Sequence, residues 1–382
     1  MRHSYPSVRY GRHAILTVPE LLDRLSAAKV LLVHGPQSFE ISGAFKILER
    51  FGPRVQVWHW DGFSPNPDLR DLERGIALIR SVRPDTVIGV GGGSSMDMAK
   101  LLCALEDVPG RDLEALIRSE APARARRMRL VLVPTTAGSG SETTHFAVVY
   151  VGEVKYSVAG PAMLPDVAII DPALSESASQ YQRAASGMDA IAQGIEGLWA
   201  VSGSPESRNL ALRGLRMVLF AIEDFVSDPL AGSAVAMMVG SHLVGRAINV
   251  SKTTAAHALS YGITRRYDVS HGHAVALTLG AFMDVHAQAE TSALRSPALL
   301  PVYRQALEDI ARLLGASSPA DSGRRFTDLA RRLGLPMGLS AIGVRCPSEV
   351  RGLATAVNGQ RLLNNPILFS ADELTELLTR CL

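Results

Sequence analysis

The sequence is poor in the features that would commit it to several large function classes. It has three cysteines in 382 residues, Cys103, Cys346 and Cys381, and no two are spaced as a CxxC pair. A disulfide scaffold and a thiolate zinc site are therefore not expected. Aromatic residues make up 5% of the chain, too few for a base-stacking platform. The formal net charge is +2, too near neutrality to draw in nucleic acid or a membrane surface. Every apolar run is broken by Gly, Ser, His or a charge well short of a bilayer span. The first ten residues hold no apolar signal-like segment, and no internal repeat or low-complexity tract stands out. The expectation is a soluble, cytoplasmic protein.

Hydrophobic residues make up 47% and charged residues 20% of the chain, a globular composition, and the length suits two domains. Apolar runs at Val30–Val33, Val55–Trp60, Thr86–Val90 and Leu130–Val133 read as strands. Segments 42–50 and 68–80 between them read as helices. This alternation predicts a Rossmann-like, largely parallel sheet with right-handed crossovers. Beyond Asp171-Pro172 the pattern turns helical, as in 193–200, 207–225 and 234–248. The expected organisation is an α/β dinucleotide-binding domain over 1–176 and an all-helical metal- and substrate-binding domain over 177–382.

The most informative string is Gly91-Gly92-Gly93-Ser94-Ser95-Met96-Asp97-Met98-Ala99-Lys100. It follows a strand and opens a helix. Glycines let backbone approach a pyrophosphate, and a helix N-terminus offers bare N–H groups and the positive end of its dipole. Ser94 and Ser95 are placed to cap that helix. Three glycines alone fit tight packing equally well. The full string resembles the cofactor loop of the iron-containing alcohol dehydrogenase family. Pro134-Thr135-Thr136-Ala137-Gly138-Ser139-Gly140-Ser141-Glu142 and Phe63-Ser64-Pro65-Asn66-Pro67 resemble two further loops of that family. The resemblance implies a cofactor site built from Gly35, Asn66, Gly91, Gly92, Gly93, Ser94, Ser95, Asp97, Thr135, Thr136, Gly138, Ser139 and Ser141. NAD-preferring relatives carry Asp just after the first strand, where it bonds the ribose 2′-hydroxyl and repels a 2′-phosphate. Here Gly35 stands at that place, so NADP(H) is favoured over NAD(H).

The resemblance also implies a metal site of Asp189, a residue four later, and His257 and His271, which are fourteen apart. The residue four after Asp189 is Gln193, where the family has histidine. Both are neutral, but an amide oxygen is a weaker ligand than an imidazole nitrogen. Gln193 ligates through oxygen, bonds a metal-bound water, or marks a site without metal. A weakened divalent site, Fe2+ or Zn2+, is the expectation. Such an ion would polarise an aldehyde oxygen for hydride transfer. Many relatives carry a further histidine four residues after the third ligand, and Tyr261 stands there as a proton relay or a packing residue. Ser260 and His273 are further candidates for the relay.

Ser251-Lys252-Thr253-Thr254 precedes His257. A cation with hydroxyls beside a metal site suits an anionic, oxygen-rich group; otherwise Lys252 faces solvent and the threonines cap a helix. Together with Gln193 and Ser204-Pro205-Glu206-Ser207-Arg208, this string is similar to the phosphonoacetaldehyde reductase branch of the family, and Arg208 is a candidate for extra positive charge. The implied reaction is reduction of phosphonoacetaldehyde to 2-hydroxyethylphosphonate in phosphonate biosynthesis, with His271, Tyr261 and Lys252 at the reacting centre and a homodimer as the assembly. Three other readings stand beside it: a reductase for a neutral short-chain aldehyde or diol, a dehydroquinate synthase-like cyclase, and a binding protein with a degenerate site.

Overall fold

The computed structural model describes residues 6–48, 51, 54–123, 125–230 and 232–382. The chain divides into two compact units, Met1–Ala178 and Ser179–Leu382.

The first unit is built on six strands: β1 Ser7–Tyr10, β2 Lys29–His34, β3 Gln56–Trp60, β4 Thr86–Gly91, β5 Arg129–Pro134 and β8 Val167–Ile170. They lie in the order β1-β8-β5-β4-β2-β3, and every pair is parallel. Residues 30–33, 87–90 and 130–133 are apolar or glycine and buried because both faces of the sheet are covered. Leu31 and Val33 enter one core cluster, with Leu101, Leu102 and Leu132. Val30 and Leu32 enter the other, with Ile88, Val131 and Ile169. The alternation of a strand's side chains sends each pair to its own face.

An antiparallel hairpin, β6 Phe146–Val151 with β7 Val154–Ala159, lies outside that sheet. The hairpin, β1 and β8 have no counterpart among the expected strands. The helix expected over 42–50 is also revised. A helix runs earlier, over Pro36–Ile41, and a second covers Phe45–Leu48. Gly43, at φ 75°, breaks the chain between them. Residues 49 and 50 of that expectation lie outside the described residues.

The second unit is helical. Its axis is Gln180–Trp199, buried continuously from Ala184 to Trp199, as expected of a helix surrounded by others. The helices Pro205–Ser227, Gly232–Ser251 and His271–Gln288 pack around it. No helix among the described residues is long and apolar enough to cross a membrane.

Candidate cofactor and metal sites

In the first unit the sequence-predicted cofactor residues gather at the C-terminal edge of the sheet. β2 has β3 on one side and β4 on the other, so the loops after β2 and β4 leave in opposite directions. This is the switch point at which parallel sheets bind dinucleotides. Gly91 has φ 143°, and a Cβ there would lie 2.5 Å from Ser95 Oγ; only glycine suits both demands. The helix Gly93–Leu105 starts from Gly92, which has no side chain to cap it, and a helix N-terminus of this kind is suited to a pyrophosphate. The expected caps are otherwise engaged. Ser94 Oγ accepts from Asn66 N at 3.0 Å, and Ser95 is buried under Gly91. Thr135 N donates to Gly91 O at 3.0 Å. Thr136 lies beside Gly92 and Ser139 beside Gly93. Gly35 lies against Ser38 and Ser95, while Gly138 is buried in the loop after β5.

Asp97 and Ser141 face each other. Ser141 Oγ donates to Asp97 Oδ1 at 2.6 Å, and Val148 N donates to Oδ2 at 3.0 Å. Lys100, fully buried, donates to Ser141 Oγ (2.8 Å), Thr144 Oγ1 (2.9 Å) and Phe146 O (2.9 Å). Burial pulls the Lys100 ammonium down to about 8, against the opposing pull of Asp97 and Glu142. This network pins segment 141–148 to the helix that follows the glycine run.

In the second unit Asp189 and Gln193, one helical turn apart, share a face of Gln180–Trp199, and both are buried. His257 is the third residue of Ala255–Tyr267, and His271 is the first of His271–Gln288. Gly272 allows His271 its position, since a Cβ there would meet Ala185 O at 2.0 Å and Asp189 Cβ at 2.7 Å. The donor atoms of Asp189, His257 and His271 all lie within 4.8 Å of one another. His257 Nε2 is 3.2 Å from Asp189 Oδ1, close to the separation of about 3.4 Å between two ligands of a tetrahedral ion. One carboxylate and two imidazoles, with Asp189 and His257 buried and His271 half-buried, fit a divalent ion. Gln193 hydrogen-bonds Asp189, and its Oε1 is shielded from solvent.

Glu196, three residues beyond Gln193 and completely buried, belongs to this centre and was missed in the sequence. Its Oε2 makes a short contact with His257 Nδ1. Its Oε1 accepts from Thr254 Oγ1 at 2.6 Å and Ala256 N at 3.1 Å. A carboxylate on Nδ1 fixes the tautomer and leaves Nε2 for a metal. Burial opposes charge on His257, but Glu196 and Asp189 together raise its basicity above the ordinary imidazole value. Ser260 Oγ donates to His257 O at 2.7 Å and lies 3.3 Å from His271 Nδ1. That pairing is satisfied when Nδ1 of His271 carries the hydrogen and Nε2 keeps its lone pair.

Tyr261 stacks on His271 with ring centroids 5.7 Å apart and an interplanar angle of 19°. His273 points away: Nδ1 meets Tyr181 Oη at 3.1 Å and Nε2 meets Pro336 O at 2.7 Å, so both ring nitrogens hold the structure together. Arg208 is likewise engaged. Its guanidinium donates to Leu198 O, Gly203 O and Ala200 O at 3.0, 2.6 and 2.9 Å, closing the turn between two helices. Of the hydroxyls before His257, Ser251 donates to Ala247 O and Thr254 to Glu196. Lys252 and Thr253 are half-buried.

Residues 6–172 match the iron-containing alcohol dehydrogenase family, and residues 183–382 match the C-terminal part of the same family. The phosphonoacetaldehyde reductase of Streptomyces viridochromogenes is 31% identical over 381 residues, covering 96% of this chain and 94% of its own. The long-chain-alcohol dehydrogenase 1 of Geobacillus thermodenitrificans is 32% identical over 69% of this chain and 67% of its own. Among solved structures, a 1,3-propanediol oxidoreductase superposes with a TM-score of 0.87 at 25% identity, covering 99% of this chain and 98% of its own. The sulfoacetaldehyde reductase of Bifidobacterium kashiwanohense, solved with NAD+, has a TM-score of 0.85 at 24% identity and covers 100% and 99%. The chain belongs to the iron-containing alcohol dehydrogenase family and is a nicotinamide-linked oxidoreductase of the alcohol dehydrogenase and aldehyde reductase type.

Proposed function

We propose that this enzyme reduces phosphonoacetaldehyde, or an aldehyde with the same kind of anionic head, to the alcohol, and that NADPH is its preferred reductant. The observation that carries the reading is Lys252. It sits half-buried in the left-handed backbone region at φ 58°, on the loop whose Thr254 is bonded to the Glu196 behind His257. That backbone closes the helix Gly232–Ser251, with Lys252 N donating to Ile248 O at 3.0 Å, and it sets a cation two residues before Thr254. The similarity to a phosphonoacetaldehyde reductase over nearly the whole chain supports the same substrate. The lack of a carboxylate at Gly35, beside the end of β2, supports tolerance of a 2′-phosphate.

A bound divalent ion would supply Lewis acidity for an aldehyde oxygen, and a bound nicotinamide would supply hydride. Asp189, His257 and His271 would hold the ion, with Gln193 as a weaker, neutral oxygen beside them. Glu196 orients His257 through Nδ1. Tyr261 supplies the alcohol proton from its hydroxyl. Burial pushes the pKa of that phenol above its ordinary value, so the proton is in place at neutral pH. The glycine run and the loops at Asn66 and Thr135–Ser139 hold the dinucleotide.

The test is NADPH consumption with phosphonoacetaldehyde and with propanal, in the wild type and in Lys252→Ala. The kcat/KM ratio of the anionic over the neutral aldehyde is expected to fall about 30-fold in the variant, the worth of one charged hydrogen bond. An unchanged ratio overturns the reading. Absence of net NADPH or NADH consumption with phosphonoacetaldehyde would overturn the substrate reading, and a strong NADH preference would remove the cofactor proposal. The similarity to the long-chain-alcohol dehydrogenase favours a second reading, a neutral alcohol or aldehyde. Propanal turned over as well as phosphonoacetaldehyde would select it.

A further inference from the structure

A second cation stands at the outer side of Tyr261. Arg361, half-buried on the short helix Gly359–Leu362, has its guanidinium carbon 5.2 Å from the Tyr261 ring centroid. It also hydrogen-bonds the phenol. Tyr261 in turn stacks on His271, whose donor atom lies within 4.8 Å of those of Asp189 and His257. Contacts therefore run unbroken from Arg361 to the metal centre.

The same segment is tied to the loop that carries Lys252. Asn364, three residues after Arg361, donates through Nδ2 to Ser251 O and Thr253 O, both at 2.8 Å. These carbonyls lie on either side of Lys252. Asn364 Oδ1 accepts from Ser202 N at 3.0 Å, so its amide is held from both ends. Two segments more than a hundred residues apart in sequence are thus locked together, each bearing one cation.

We infer that Arg361 is a specificity-determining residue and forms with Lys252 a two-cation clamp for the tetrahedral anionic head of a short aldehyde. The inference rests on the reading of an anionic substrate made above. A phosphonate, somewhat less acidic than a phosphate monoester, carries between about one and two negative charges near neutral pH. One lysine leaves much of that charge uncompensated once water is displaced. A guanidinium adds two parallel N–H donors that match two oxygens of one head group. The Tyr261 ring and hydroxyl, both in contact with Arg361, position the guanidinium. A sulfonate, with a single negative charge, would use the same clamp with less gain.

The experiment compares phosphonoacetaldehyde, sulfoacetaldehyde and propanal in the wild type, Arg361→Met and Arg361→Lys, all as full-length enzyme with metal and NADPH. The kcat/KM ratio of phosphonoacetaldehyde over propanal is expected to fall about 100-fold in Arg361→Met, mostly through KM. The sulfoacetaldehyde ratio should fall less. Arg361→Lys should recover only part of the loss, since lysine restores charge but not the fork. Equal losses on all three aldehydes, or no loss, overturn the clamp. If the wild type prefers the anionic aldehyde and Arg361→Met keeps that preference, the clamp alone falls. If the wild type shows no preference, the substrate reading falls and the clamp with it.

Discussion

His257→Ala is expected to lower kcat/KM for the aldehyde by about 10^3 to 10^4-fold and to empty the metal site. Polarisation of a carbonyl by a bound ion contributes several kcal/mol to the transition state, and each 1.36 kcal/mol is about a factor of ten in rate. His257 is the residue on which the centre converges. Its Nε2 faces Asp189 and its Nδ1 faces Glu196. The variant should be read by metal analysis together with kinetics, because it also leaves the completely buried Glu196 without its imidazole partner, a change that lowers stability. Glu196→Gln separates the two effects. It keeps the volume and a hydrogen-bond acceptor toward His257, and it should weaken metal affinity about 10 to 100-fold, as loss of such outer partners does. Full activity in His257→Ala would remove the metal role assigned to this cluster.

Lys100→Met is expected to lower stability by about 3–5 kcal/mol. That is the range for removing one member of a buried charge pair and a large part of a typical total of about 5–15 kcal/mol. The ammonium donates to Ser141, Thr144 and the carbonyl of Phe146 and lies 3.9 Å from Asp97. Methionine fills the space but leaves these acceptors facing an apolar chain end. At about 2–4 °C per kcal/mol for a unit of this size, the melting temperature should fall by roughly 6–20 °C. Dinucleotide binding should weaken as well, because segment 141–148 loses its anchor to the helix after the glycine run. A shift under 2 °C would mean that the buried lysine is replaceable by packing alone.

The sheet and the cofactor edge were legible because their signals are local. β2, β4 and β5 are buried on both faces, and each appears as a continuous apolar run. The glycine string marks its own strand end and helix start. Asp189, His257 and His271 were legible through spacing matched to a known family, and the structure brings the three together. β1 and β8 were not legible. Each has four residues, and they pair with one another across more than 150 positions. The hairpin β6–β7 was passed over because its first strand begins four residues after a loop already read as cofactor-lining. Ser94 and Ser95 looked like caps because hydroxyls before a helix usually are, but the chain enters the helix through Gly92. Glu196 and Arg361 carry no local signature. One is defined by His257, sixty-one residues later, and the other by Tyr261, a hundred residues before it. Arg208 shows the converse error, a cation that looked available in sequence and whose guanidinium is engaged by three backbone carbonyls.

The central claim is that Asp189, His257 and His271, with glutamine in place of a further histidine, still form a working divalent centre. The most direct measurement is the metal content and NADPH-linked aldehyde reduction of the same preparation, before and after chelation and after addition of Fe2+ or Zn2+. The account predicts about one ion per chain in protein purified without chelator, loss of activity on its removal, and recovery with one of the two ions. Undiminished reduction by the metal-free protein would contradict it.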